Sequence, residues 1–130
     1  MKQSVFMEKY PVFSLELAKD ETSMASVDDI VAYFRARIEG HGKATFIAVF
    51  DHFGHTKRLG GEIDPAIKDA KNVVFCFGLA LPNPQVMAVR PRSIGIVDLG
   101  DRFFVNFMEA PMKAANDAME EWAKGLRDRG

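Results

Sequence analysis

Apolar and polar residues alternate from Val12 to Ala18, where Phe13, Leu15 and Leu17 are set against Ser14 and Glu16, as in a half-buried strand. Residues 1–11 show no clean parity, and Pro11 interrupts what pattern there is. The apolar period then lengthens to that of a helix: Val27, Ile30, Val31, Phe34 and Ile38 fall on one face. Ser26 stands at the N-cap position, Asp28 and Asp29 follow in the first turn, and Gly40 and Gly42 end the segment. Ala44 to Phe50 is apolar at both parities, which predicts a central strand covered on both faces. Asp51 follows as the cap of a short helix that runs to Leu59 and stops at Gly60-Gly61. The next strand is expected over Val73 to Leu81. One of its faces carries Val73, Phe75, Phe77, Leu79 and Leu81, and the other the smaller Val74, Cys76, Gly78 and Ala80. Ser93 to Asp98 and Arg102 to Met108 read as two strands joined at Leu99-Gly100-Asp101. Pro111 opens a last helix with the stripe Ala115, Ala118, Met119, Trp122 and Leu126.

The order predicts an α+β fold in one domain, residues 1–130. A single antiparallel sheet carries its two main helices on one face, in the order β-α-β4-α, with a small helical insert after the second strand. Composition narrows the partners. Seventeen basic against eighteen acidic residues, well mixed, give no field to hold nucleic acid or an anionic membrane. The longest apolar run is far short of the roughly 20 residues a membrane helix needs. One cysteine, Cys76, allows no intrachain disulfide. A cytoplasmic protein is expected.

Several features together resemble the bacterial Domain of Unknown Function 302 family. They are the strand running into Asp51-His52, and Phe77-Gly78 followed by a Pro-containing loop. Pro91 then leads into Ile94 to Val97, and Phe103 to Met108 has a proline just beyond it. The resemblance covers roughly residues 12–125 and implies a TBP-like β-α-β4-α fold. It implies no activity or cofactor, because that family has none established.

Four groups of residues are candidates for chemistry. Asp51, His52 and His55, with Glu62 and Asp64 downstream, have the spacing to share a metal or to do acid–base work. The plainer account makes Asp51 a helix cap and leaves the histidines at the surface. Cys76 lacks a local cationic neighbour and reads as an inert small residue. Arg90 and Arg92 flank Pro91 and have the chemistry to clamp a carboxylate or phosphate. Phe104-Val105-Asn106-Phe107 resembles half of an RNA-recognition signature, but without the other half it reads as core. Beyond these motifs there is a surplus of apolar surface. The face opposite the helices would present Val74, Cys76, Gly78, Ala80, Phe104 and Met108 with little left in the chain to cover it. That surplus predicts a non-enzymatic homodimer, with a small apolar ligand at the same face. The competing expectation is an enzyme, metal-dependent or acid–base, using Asp51, His52 and His55.

Overall fold

A computed structural model describes residues 1–129. Six strands form one antiparallel sheet: β1 (Lys2–Phe6), β2 (Tyr10–Ala18), β3 (Ala44–Phe50), β4 (Asp69–Phe77), β5 (Arg92–Asp98) and β6 (Arg102–Met108). Their order across the sheet is β1-β2-β6-β5-β4-β3. The helices are α1 (Val27–Glu39), α2 (His52–Arg58) and α3 (Lys113–Lys124).

Period-two alternation sends Phe13, Leu15 and Leu17 of β2, Val73, Phe75 and Phe77 of β4, and their counterparts on β5 and β6 to one side, where all are buried. α1 and α3 close that side. Ser26 accepts a hydrogen bond from the Asp29 N–H at 3.1 Å, while Asp29 accepts one from the Ala25 N–H at 2.9 Å, so the first turn of α1 is capped in both directions. The apolar stripes of both helices are buried as their spacing predicts, except that Val31 is only partly so. Trp122 of α3 meets Phe75 edge-on at 5.8 Å, and the Tyr33 hydroxyl of α1 donates to the Trp122 carbonyl at 2.6 Å. The two long helices therefore lock to each other as well as to the sheet.

Four expectations need correction. Residues 2–6 are a strand after all, joined to β2 through Met7 and Glu8, both in the left-handed region that tight hairpins require. Pro11 is tolerated because it precedes the pairing of β2 with β6, which begins at Val12. The strand Ala44–Phe50 is not central but forms the sheet's outer edge, and a bulge between Phe46 and Ala48 leaves Ile47 as the extra residue. Its apolarity at both parities thus reflects exposure rather than double cover. β4 ends at Phe77, because Gly78 takes a positive φ of 112° that turns the chain off the sheet. Leu79 and Leu81, expected in the core, are 78% and 73% exposed. Finally, Pro111 lies just ahead of α3, whose cap position is Met112.

Candidate functional site

The register fixes what the other side of the sheet presents. Ser14 pairs with Asn106, Asn106 with Gly95, Gly95 with Asn72, and Asn72 with Phe50, so these residues make one row across five strands on the side away from α1 and α3. Gly95 is the low point of the row. A Cβ placed there would meet Asn106 Oδ1 at 3.0 Å and Asn72 Nδ2 at 3.7 Å, so the two amides lean over the glycine from both flanks. The cleft above it encloses about 370 Å³ and is walled by Val12, Ser93, Arg92 and Met108. That volume lies within the range of small-molecule sites.

α2 flanks the row at its β3 end. Asp51 caps the helix, with its carboxylate accepting from the Gly54 N–H at 3.0 Å. His52 Nδ1 lies 3.2 Å from Asn72 Oδ1, a contact in which a protonated Nδ1 donates. The rings of His52 and His55 each sit 5.1 Å from the Phe50 ring and 6.4 Å from one another. Glu62 and Asp64 share a cleft of about 190 Å³ with His52, which His55 and Asp51 do not line. Asp64 is itself engaged, accepting from the Ala66 N–H at 2.9 Å. Among the described residues, no three histidine, cysteine or carboxylate side chains converge on a point where a metal could sit.

The apolar candidates are dispersed. Val74 and Cys76 lie on the open side of β4, paired with Ala48 and Thr45 of β3, and both are half-buried. Phe104 and Met108 lie on the open side of β6, beyond Gly95. Gly78 and Ala80 have left the strand and underlie the segment 82–92. The Arg90 guanidinium covers Gly78, reaching to within 2.8 Å of where a Cβ would stand, and donates to the Ala80 carbonyl. Arg92 donates to the Met108 carbonyl, bridging β5 and β6 where their pairing has ended. Burial lowers the Arg92 pKa from its ordinary value, and no acidic group offsets that effect.

The open face is therefore more polar than the apolar surplus led us to expect. The sequence does not mark Asn72 and Asn106 as a pair, because Asn72, beside Lys71, precedes the strand expected from Val73, and Asn106 sits among apolar neighbours in Phe-Val-Asn-Phe. Asparagine is depleted in strands, so Asn106 at mid-strand was the available signal.

A six-stranded antiparallel sheet with its two long helices packed on one side, and the other side reached only at its β3 end by the short α2, defines the architectural class. A crystal structure of an uncharacterized conserved DUF302 protein from Bacillus stearothermophilus has this fold, with a TM-score of 0.57 over 91% of this chain and 96% of that one, at 9% identity. Residues 1–128 match the family of unknown function DUF6858, and the chain belongs to it; the expected resemblance to DUF302 proteins holds at the level of the fold. No curated protein matches the chain. No helix among the described residues is long and apolar enough to cross a membrane.

Proposed function

We propose that the chain is a non-catalytic module that pairs with a second copy of itself along β3 and holds a small ligand on the adjoining open face. The observation that carries the pairing is β3 itself: seven residues without a charged side chain, on the rim of the sheet, with Ile47 51% exposed. Edges of that kind are ordinarily guarded by lysine, proline, a bulge or a covering segment, and β3 carries the bulge at Ile47 but neither lysine nor proline. The opposite rim, β1, is shorter and carries Lys2. Two β3 rims meeting antiparallel about a two-fold axis would extend the sheet across the pair and satisfy their outward main-chain groups. Val74 and Cys76, next to β3 on the open face, would widen that contact. Sedimentation and light scattering at roughly 10 μM, where an interface of about 1,600 Å² is normally populated, should return the mass of a dimer. Ile47→Asp should return that of one chain with an unchanged circular dichroism spectrum. A wild-type protein that stays at one-chain mass up to about ten times that concentration defeats the pairing.

The ligand reading rests on Gly95 and the two amides beside it, which leave a floor without a side chain between hydrogen-bonding groups of both kinds. Phe104 and Met108 flank that floor on β6 and supply apolar contact. An acid–base or metal-dependent enzyme built on Asp51, His52 and His55 has less geometry behind it, since the carboxylate is engaged as a cap and the histidine rings lean at a tilt against Phe50.

A further inference from the structure

A second cleft lies off the open face, at the end of β4, between the segment 82–92 and the connection from β6 to α3. It encloses about 260 Å³. Its walls are apolar: Phe77 at the back, Val86 and Val89 on one side, Ala110, Pro111 and Met112 on the other. The polar groups among its lining residues are those of Arg90 and Arg92. Each guanidinium has five N–H donors, and each donates to one main-chain carbonyl, of Ala80 and Met108 respectively. Arg92 Nε is buried with no hydrogen-bond partner. Among the described residues no carboxylate comes within salt-bridge distance of either arginine, although eight ion pairs are formed elsewhere.

Arg92 is half-buried with its Nε wholly enclosed, and no acidic group offsets that desolvation, while Arg90, also half-buried, lines the same cleft. We propose that this cleft binds a small amphipathic carboxylate, its apolar chain against Val86, Val89 and Met112 and its carboxylate on Arg90 and Arg92. A carboxylate supplies two acceptor oxygens to paired guanidinium donors, which phosphate-sized anions without a tail would do at the loss of every apolar contact. At about 30 Å³ per water-sized group, the volume takes roughly nine heavy atoms, the size of a medium-chain fatty acid. Gly78 is part of the arrangement, because a side chain there would displace the Arg90 guanidinium.

The probe is sodium octanoate, titrated against the full chain by calorimetry and followed by amide NMR, with octanamide, octylammonium and inorganic phosphate as comparisons. Octanoate is expected to bind at about millimolar concentration or tighter and to shift the amides of Val86, Val89 and Met112. Octanamide and phosphate should be weaker by roughly ten-fold or more, and octylammonium should not bind. Arg92→Met and Arg90→Met should each weaken octanoate by a similar factor, and Arg92→Lys should restore part of the loss. Because pairing along β3 is a separate matter, Ile47→Asp should bind octanoate as the wild type does. No octanoate binding, equal binding of octanamide, or shifts confined to residues around Gly95 would each overturn the proposal. The NMR result on the wild type decides even if an arginine variant fails to fold.

Discussion

Neighbouring residues of β4 occupy opposite environments. Val73, Phe75 and Phe77 are buried beneath α1 and α3, whereas Asn72, Val74 and Cys76 look out from the side that neither long helix reaches. The sealed side is built by exclusion, its side chains large, apolar and matched to two amphipathic helices. The open side is built by allowance: Gly95 drops the floor, and the amides of Asn72 and Asn106 stand beside it with hydrogen bonds to give. Close apolar packing and open polar surface are thus divided between the two sides of one sheet. A substitution should report which surface it strikes by the size of its effect.

The largest effect belongs to the sealed side. Phe75 is fully buried against Trp122, so Phe75→Ala removes a ring from a packed core and should cost about 3–5 kcal/mol in urea denaturation. Val74→Ala, one residue along and half-buried, should cost under about 1 kcal/mol. Equal losses at the two positions would mean that the open side is covered in solution, and pairing with a second copy is the first cause to test.

That division was only partly legible in the sequence. Alternation in Phe13-Leu15-Leu17 and in Val73-Phe75-Phe77 marked the inner side without ambiguity, and the stripes of α1 and α3 named the residues that cover it. Strand order was not legible, because it depends on contacts between distant segments. Ala44–Phe50, apolar at both parities, lies at the rim rather than the centre. The extent of β4 was obscured because Leu79 and Leu81 continue the alternation after Gly78 has already turned the backbone away. Arg90 and Arg92 were visible as a charged pair, but the apolar walls around them come from three separate stretches of chain. Only folding puts those together.

A middle-sized effect contrasts two asparagines. Asn116 is buried at the start of α3, where its Oδ1 accepts from the Ala110 N–H at 3.0 Å. Replacing it with leucine leaves that buried N–H without a partner, and a loss of about 1–3 kcal/mol should follow. Asn106→Ala, on the open side, leaves no buried group unpaired and should stay within about 0.5 kcal/mol, while changing any binding at the Gly95 cleft. If Asn106 proves the more costly of the two, its amide serves the fold rather than a ligand.

The smallest effect concerns the margin of the sealed side, where the chain leaves α3 past the buried Leu126. The segment that follows is stitched back to the β2–α1 connection. Asp128 accepts from the Ser23 hydroxyl at 2.5 Å and from its N–H at 2.7 Å, and the Arg127 guanidinium lies 2.9 Å from the Glu21 carboxylate. The Ser23 hydrogen bonds hold the Asp128 pKa below its ordinary value of 3.8. The folded chain therefore gives up this proton more readily than the unfolded chain does, and protonation comes at lower pH when folded. The sign follows directly. The contribution is complete above the unfolded value and disappears as pH falls through the lowered folded one. Asp128→Asn should consequently shift stability by a small, constant amount at neutral pH, and the gap to the wild type should close in acid below about pH 4. Denaturation of both proteins across that range measures it. A gap that persists at low pH would assign the effect to packing of the tail rather than to the carboxylate, and would leave Leu126 as what fastens this end of the sealed face.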